Sequence, residues 1–553
     1  MNGLFLSPLG PALLLLLASI LLRIVASPRR SSTLALLTLL PLALTLALLL
    51  VLRNAPGVQV LQTTWWPVVV APLDVLWALD GWNWLSLVLL TLVTATAVLL
   101  TWRLPGKRAG AVHGLSFLFA SAAALTVVSD NLLTLSGAWI ATDMTLLAVG
   151  RARGAQPGSD SAPIWLEITS SMLVMVAIGI TSFRQASGTF AAVSLPPETV
   201  ALLLLAAGIR MAAYPLHLWL APNSVNRDGG TQLLISAGGL ITGGWLLGRL
   251  AVLGAATWLA DPVWLPVLTV LMLAGGLAAW LSRDHDRFHL LGSARGVWMW
   301  LMIAAAPIAL SREALGWALA ATVLSLMLFA VGSAIRDHWN WHLPLLLAAV
   351  AMAGVPLTVG MPAYALASPG NAAIYLLWLV ANGLAVACIF VANRQVKLPL
   401  QPATASVAAT ASEPARVNWP VIRLLSALAI CLIPIALWGI QTAAFARSAG
   451  FGVTPSLLNL VGQLGLFGLL GVAATLALGW GLAQVLRVGS AATLAWHTRA
   501  GYALGLAWLL HAGRWLFVWI EIGGRTAFHI VEGEGYLGWV LLLMIAAGLI
   551  FLR

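Results

Sequence analysis

Long apolar runs recur along the whole chain, and they constrain its fold more than any other feature of the sequence. A helix of roughly 17 to 25 apolar residues is long enough to cross the hydrocarbon core of a bilayer. With 61% hydrophobic residues, 8% charged residues and a mean hydropathy of +0.98, the composition excludes a soluble enzyme. The sequence therefore predicts an all-α polytopic membrane protein of about 17 transmembrane helices (range about 15–17). We place them at residues 5–22, 33–52, 83–102, 112–129, 131–150, 164–182, 199–219, 231–248, 263–281, 296–311, 315–335, 343–363, 371–392, 420–441, 457–485, 501–520 and 536–552.

The basic residues fall mainly in alternate loops between these predicted helices. Loops after odd-numbered helices hold 19 of the 28 Lys and Arg residues, and loops after even-numbered helices hold 6. Because short cytoplasmic loops collect Lys and Arg, the alternation places the N-terminus outside and the C-terminus in the cytoplasm. The 19 include Arg295, which these boundaries assign to a cytoplasmic loop. The basic residues are scattered singly, so the net charge of +11 does not indicate nucleic-acid binding.

One polar segment interrupts the apolar pattern and predicts the domain organisation. Residues 393–419 are rich in Pro, Ala, Ser and Thr and have no apolar face, which is typical of a flexible linker. The sequence thus predicts a membrane core at 1–392, a cytoplasmic linker at 393–419 and a four-helix membrane tail at 420–553.

A charged residue and a proline occur together inside one apolar run, in LLAAGIRMAAYPLHLWL. A charge at mid-membrane is costly, so Arg210 is a candidate functional residue by default. Pro215 removes a backbone donor, which is tolerated at depth only where protein or water satisfies the freed groups. His217 follows at the predicted opening of the helix and is a candidate proton relay, with a packing role as the alternative.

Other kinds of site find little support in the sequence. Cys388 and Cys431 both lie in apolar runs and form no disulfide framework or thiolate cage. The acidic and histidine residues at 284–289 alternate with Arg and indicate a solvated loop instead of a metal site. We find no nucleotide loop, no catalytic triad pattern and no redox chemistry, and we expect no cofactor in this chain.

The motif PLHLWL at 215–220, with Arg210 before it and LLGR at 246–249 after it, resembles the core motif of the antiporter-like membrane subunits of respiratory complex I. The same family includes Mrp-type antiporter subunits and membrane-bound hydrogenase subunits. Further segments over roughly residues 75–390 resemble the family in the expected order: LDGWNWLSLVLL at 79–90, DNLLTLSGAWIATDMTLLAVG at 130–150, SRDHDRFHLLGSARG at 282–296, LMLFAVGSA at 326–334 and AGVPLTVGMPAYAL at 353–366.

The resemblance implies a fold with broken seventh and twelfth helices, at Pro215 and between Pro356 and Pro362. It also implies proton movement along buried lysines, a glutamate and histidines, with other membrane-arm subunits as partners. The implied location is the inner (plasma) membrane of a bacterial-type cell. The redox centres of such a complex lie in other subunits.

The sequence departs from the family at most of the titratable positions. The seventh-helix Lys corresponds to Arg210, and the position of the fifth-helix Glu holds Ile140, with Asp143 one helical turn beyond Trp139. The positions of other relay residues hold uncharged side chains, at Ser236, Phe288, Ala321, Ser325 and Tyr364.

Chemistry decides what these departures mean. A buried Lys can release its proton, whereas Arg has a pKa above about 12 and remains protonated. Arg210 is therefore a poor relay, and an unpaired Arg inside lipid is costly, so it needs a carboxylate partner. Asp143 and Glu167 are the two candidates, and the sequence does not choose between them.

Three functions follow. The first is an antiporter-like membrane subunit of a complex-I-related NADH or donor–quinone oxidoreductase, with an altered or weakened proton path through Arg210, His217, Asp143 and Glu167. The second is a structural subunit of the membrane arm that conducts nothing. The third is the membrane component of a stand-alone cation/proton or inorganic-carbon transporter. In each, the partners are the lipid bilayer, other subunits, and protons or cations.

Overall fold

The structure is a computed structural model. It describes residues 6–25, 31–53, 59–66, 73–101, 106–151, 162–181, 189–190, 195–220, 229–282, 284–339, 341–367, 372–394, 419–451, 456–488, 491–506 and single positions between 508 and 522. The predicted linker at 393–419 and the last predicted helix at 536–552 lie almost wholly outside these residues.

Helices make up most of the described chain. They are α1 (Gly10–Val25), α2 (Ser31–Arg53), α3 (Gly81–Leu100), α4 (Gly106–Val128), α5 (Leu132–Arg151), α6 (Ala162–Ile180), α7 (Pro197–Arg210), α8 (Gly229–Leu250), α9 (Ala256–Leu259), α10 (Trp264–Leu281), α11 (Asp284–Ala305), α12 (Ser311–Trp339), α13 (Leu343–Ala353), α14 (Met361–Leu366), α15 (Ala372–Arg394), α16 (Trp419–Ile440), α17 (Thr442–Ser448), α18 (Leu457–Val488) and α19 (Ala491–Leu504).

Within the described residues, nine helical stretches are long and apolar enough to cross a membrane, judged by length and composition. Four further apolar helices are shorter. The prediction of a helical membrane protein is therefore confirmed. The number of about 17 membrane helices stays a prediction.

The chain divides into two compact units, Met1–Gly505 and Leu506–Arg553. The described residues up to 505 belong to the first unit. The predicted boundaries at 392 and 420 stay predictions.

A two-stranded antiparallel sheet precedes α3 and was not part of the sequence prediction. Strands β1 (Gln59–Trp66) and β2 (Leu73–Leu79) are rich in aromatic and β-branched residues, which favour extended backbone. The backbone N–H of Asp130 donates to the Leu76 carbonyl at 2.9 Å, and the Leu76 N–H donates to Thr134 Oγ1 at 2.9 Å. These bonds attach β2 to the turn between α4 and α5.

Helix α7 ends at Arg210, in the middle of the apolar run. At this helix end, the Met211 N–H donates to the Ala207 carbonyl and the Ala213 N–H donates to the Gly208 carbonyl, both at 2.9 Å. The chain then turns into a short 3₁₀ segment at Leu216–Trp219. Trp219 Nε1 donates to the Ile209 carbonyl at 2.7 Å, which satisfies an acceptor at the helix end.

Helix α8 lies close against this helix end. A Cβ on Gly239 would lie 2.6 Å from the Arg210 carbonyl oxygen, and one on Gly243 would lie 2.7 Å from the Ala207 carbonyl oxygen. Only glycine allows two helix backbones to approach so closely. The glycines of α8 therefore help to fix the position at which α7 stops.

A second interruption separates α13 from α14. Gly354 ends α13 with φ of 74°, in the left-handed region that favours glycine. Pro356 lies in the connecting segment, and Pro362 lies in the first turn of α14. The Tyr364 hydroxyl lies within hydrogen-bond distance, 3.1 Å, of the Met352 carbonyl and so brings the two short helices into contact.

The predicted loop position of Arg295 is wrong. Helix α11 begins at Asp284, and Arg295 lies in its middle with 0% exposure. The polar residues of its first turns lower the apolar signal, so the hydropathy pattern starts the helix twelve residues too late. Without Arg295, the loops after odd-numbered predicted helices hold eighteen basic residues and the loops after even-numbered ones hold six, so the alternation remains.

Candidate functional site

Arg210 and Asp143 form an ion pair between α7 and α5. Arg210 Nη2 lies 2.6 Å from Asp143 Oδ1, and both side chains are at most 2% exposed. Arg210 is the last residue of α7, so its side chain is placed where the helix stops. Of the two candidate partners, the structure brings Asp143 to the guanidinium.

Trp139 supports the guanidinium from the preceding turn of α5. It lies four residues before Asp143, on the same helix face. Arg210 Nη2 donates to the Trp139 carbonyl at 3.2 Å, and the Arg210 Cζ lies 4.4 Å from the centroid of the indole ring. A cation over an aromatic face is attracted by the ring quadrupole, and the attraction is stronger where water is excluded.

Helix α6 contributes two serines that orient the pair. Ser171 Oγ donates a short hydrogen bond to Asp143 Oδ2. Trp139 Nε1 donates to Ser170 Oγ at 3.0 Å, and Ser170 in turn donates to the Ala206 carbonyl at 3.0 Å. The two serines thus connect all three helices around the pair. The sequence analysis did not identify either serine, because a serine in an apolar helix gives no distinctive pattern.

The guanidinium has donor capacity beyond this pair. Among the described residues, Arg210 Nε and Nη1 have no hydrogen-bond partner. The site therefore holds one permanent positive charge, one carboxylate and two nitrogens that are available to an acceptor. Asp143 is the one group of the pair that can change its charge by taking up a proton, because a guanidinium remains protonated.

His217 is buried beyond the helix end and does not join the ion pair. Its Nε2 lies 3.1 Å from the Gly505 carbonyl, so the neutral ring carries its proton on Nε2. Its ring stacks on Tyr214 with centroids 5.3 Å apart, and the Tyr214 hydroxyl donates to the Leu504 carbonyl at 3.0 Å. These contacts anchor the segment after Pro215 to the end of α19. No contact joins His217 to Arg210 or Asp143 in the described part of the chain.

The remaining predicted site residue lies at the edge of the described chain. Glu167 falls within α6, one turn before Ser171, and its side chain lies outside the described residues. Its predicted role stays a prediction.

A second charged cluster lies where α3 and α12 begin and α8 ends. Asp80 Oδ2 lies 2.9 Å from Arg249 Nη1 and 3.6 Å from Arg312 Nη2. Arg249 Nη2 also donates to Asn83 Oδ1 at 2.8 Å. Both arginines belong to the six basic residues predicted in loops after even-numbered helices, on the same side of the membrane. That prediction gave no reason to expect that they share one carboxylate.

Asp130 lies near this cluster, in the turn between α4 and α5. Burial raises the pKa of its carboxyl above the ordinary value of 3.8, against the opposing effect of Arg249 and with a smaller contribution from Asp80.

No protein-family model matches the sequence, and no curated protein matches it. Among solved structures, the chain is similar to a chain of the Mrp complex from Dietzia sp. DQ12-45-1b, with a TM-score of 0.72 at 17% identity. That alignment covers 98% of this chain and 63% of the other, so this chain spans less than two thirds of that relative.

The chain is also similar to a chain of the membrane-bound sulfane sulfur reductase, an archaeal respiratory membrane complex. The TM-score is 0.66 at 15% identity, over 98% of this chain and 99% of the other. At these identities the comparison shows that this chain shares the fold of those two chains. The resemblance inferred from the sequence is confirmed at that level.

Proposed function

We propose that this chain is an antiporter-like membrane subunit of a multi-subunit assembly related to respiratory complex I. In such an assembly, electron transfer from NADH or another donor to quinone is coupled to proton movement, and the redox centres belong to other subunits. The observation that carries the proposal is the buried pair of Arg210 and Asp143 at a helix end, within a fold shared with subunits of the Mrp and sulfane sulfur reductase complexes.

The proton path of this subunit is altered or weakened. A relay group must gain and lose a proton, and the guanidinium of Arg210 does neither. We assign the interruptions after Arg210 and after Gly354 to the broken seventh and twelfth helices of the antiporter-like fold. Irregular backbone at membrane depth is tolerated where it lines a protein-filled or water-filled interior.

The pair provides a simple element for coupling. When a proton reaches Asp143, the carboxylate loses its charge, and Arg210 becomes an unpaired buried cation. Such a cation is costly, so protonation of Asp143 and movement of the guanidinium are linked. The unpaired Nε and Nη1 nitrogens give the guanidinium donors with which to contact another acceptor when it moves. In this scheme Arg210 transmits a change of charge without itself carrying a proton.

Two other functions have specific support. The permanent charge of Arg210 and its ion pair with Asp143 favour a structural subunit that conducts nothing. The likeness in fold to the Mrp chain keeps a stand-alone cation/proton transporter as a further candidate, and an inorganic-carbon transporter is the other form of that function.

Purification from the native membrane in mild detergent, followed by identification of the co-purifying chains, tests the proposal. Co-purification with subunits that carry iron–sulfur, flavin or quinone sites supports it. Recovery of the chain with membrane subunits alone, or with one large soluble zinc-binding protein, supports a stand-alone transporter. Proton movement by the purified assembly then separates a conducting subunit from a structural one. In a conducting subunit, Arg210→Ala should reduce proton movement by an assembly that still forms. In a structural subunit, an assembly that forms with Arg210→Ala should move protons as the wild type does.

A further inference from the structure

Arg295 is a second buried guanidinium, and its surroundings differ from those of Arg210. It projects from α11 and is 0% exposed. Its Nη1 donates to Asn382 Oδ1 at 2.8 Å, and its Nε lies 3.4 Å from Thr322 Oγ1. Its Cζ lies 3.3 Å from the centroid of the Trp298 ring. None of the described residues offers it a carboxylate, since its contacts are with an amide, a hydroxyl and aromatic rings.

The nearest acceptors in this cluster are neutral oxygens. Asn382 Oδ1 accepts from Arg295 Nη1. The Tyr364 hydroxyl lies 2.9 Å from Asn382 Oδ1 and 3.1 Å from the Met352 carbonyl, and it has one proton to donate to either. The Nδ2 group of Asn382 donates to the Trp378 carbonyl at 3.0 Å and adds no acceptor for the guanidinium.

Several donors around Arg295 have no acceptor within the described chain. They are Arg295 Nη2, Trp298 Nε1 and Trp378 Nε1. The Ser325 hydroxyl, which can donate or accept, also has no partner there. Trp298 follows Arg295 by one helical turn, and Trp378 precedes Asn382 by one turn, so each shares a helix face with its neighbour. The Tyr364 ring lies between the two indoles, with centroids 5.6 Å from Trp298 and 5.3 Å from Trp378.

Ser325 lies on α12, one turn after Thr322 and on the same face, with 0% exposure. The four helices α11, α12, α14 and α15 thus contribute to a cluster with one permanent positive charge, several N–H groups without a partner and no carboxylate among the described residues.

We propose that the cluster around Arg295 binds a small monovalent inorganic anion of the size of chloride or bicarbonate. A buried unpaired cation is strongly penalised, and a single negative charge beside the guanidinium offsets that penalty. A water molecule can accept the free N–H groups but leaves the charge in place. A cation is repelled by the guanidinium, and a divalent anion would leave a net negative charge in the same apolar surroundings.

This inference does not rest on the proposed function. The anion site uses none of the residues of the Arg210 pair, and its test measures binding and stability instead of transport or partners. The cluster can therefore be present in a conducting subunit, in a structural subunit or in a stand-alone transporter.

Direct binding is measured with radiolabelled chloride on the protein in native-lipid nanodiscs, together with whatever subunits it retains. Sodium gluconate replaces sodium chloride at constant ionic strength, because gluconate is too bulky for a buried site. We expect saturable chloride binding, with bicarbonate as a competitor in a parallel arm.

Ser325→Ala should weaken binding about tenfold, as expected for one lost hydrogen bond to a charged group. Arg447→Gln removes an exposed arginine and should leave binding unchanged.

Asn382→Asp gives a second measurement that does not depend on removing Arg295. The new carboxylate lies where Asn382 Oδ1 now contacts the guanidinium, and it supplies the missing negative charge from within the chain. We expect the thermal midpoint of the wild type to rise with chloride over gluconate and that of Asn382→Asp to be independent of the anion. The hydrogen bond from Asn382 to Trp378 is lost in the variant, so the comparison is between anions within each protein.

The absence of saturable binding of either anion to the wild type overturns the proposal. So does an Asn382→Asp protein that folds and keeps the chloride dependence of the wild type.

Discussion

Replacing Asp143 by Asn removes the negative charge that lies 2.6 Å from Arg210 while keeping the shape of the side chain. The guanidinium then remains at a position that is at most 2% exposed, without a counter-charge. Breaking a buried ion pair from one side costs about 3–5 kcal/mol, most of it from the charge left behind. Since about 1.4 kcal/mol is a factor of ten, the folding equilibrium should fall by roughly 150-fold to several thousand-fold.

The double variant Asp143→Asn, Arg210→Gln separates the pair from the loss of either residue alone. It removes both charges and completes a cycle with the single variants Asp143→Asn and Arg210→Gln. We expect its destabilisation to be smaller than the sum of the two single effects by a coupling energy of about 2–3 kcal/mol. The assay is equilibrium unfolding of the purified protein in mixed micelles by titration with SDS. Glu198→Gln is the matched control, because it removes an exposed carboxylate in the first turn of the same helix as Arg210. Its effect should be below about 1 kcal/mol.

Two results would show that the ion pair between Arg210 and Asp143 does not stabilise the protein. One is an Asp143→Asn protein that unfolds within about 1 kcal/mol of the wild type, which is too small for a stranded buried charge. The other is a double variant whose destabilisation is the sum of the two single effects, since that would mean that the two side chains do not interact.

Three further perturbations test neighbouring parts of the structure. Gly239→Ala places a Cβ 2.6 Å from the Arg210 carbonyl and should destabilise the protein by about 1–3 kcal/mol in thermal unfolding; Gly137→Ala, with no atom within 4 Å, should not destabilise it. Ser171→Ala removes the hydrogen bond to Asp143 and should cost about 1.5–3 kcal/mol in the SDS titration, and an unchanged curve would show that the bond does not matter. Burial raises the pKa of the Asp130 carboxyl above 3.8, so the folded state holds this proton more tightly than the unfolded state. The wild type should therefore lose stability relative to Asp130→Asn as the pH rises above about 4, and parallel thermal midpoints would contradict this.

The sequence was sufficient to single out Arg210 and to require a carboxylate partner for it, because charge inside an apolar run is conspicuous. Arg210 stands in such a run, and an unpaired guanidinium needs a carboxylate. Asp143 was one of two candidates, and only the packing of α5 against α6 and α7 shows which side chain reaches it. The serines that orient Asp143 could not be predicted, because their contacts depend on how three helices meet in space.

Arg295 shows why the polar start of a helix is difficult to predict. The turns after Asp284 carry charged and histidine residues, so the sequence pattern resembled a loop. Those residues belong to α11, and the helix carries Arg295 into the interior beside Tyr364. The resemblance places lysines of the family near Tyr364 and Ser325, and it gave no reason to expect that a different helix brings a cation to Asn382 beside Tyr364. The β-hairpin was missed because its short strands lie between long apolar helices that dominate the hydropathy pattern.

The role of the buried guanidinium in coupling is measured by proton translocation of the reconstituted assembly, compared among the wild type, Arg210→Lys and Arg210→Ala. If a paired, permanently charged guanidinium transmits coupling, Arg210→Lys should assemble, because an ammonium can replace the charge beside Asp143. Arg210→Ala should lose either assembly or the coupling of proton movement to the driving reaction. An Arg210→Ala protein that assembles normally and translocates protons at the wild-type rate would contradict the account.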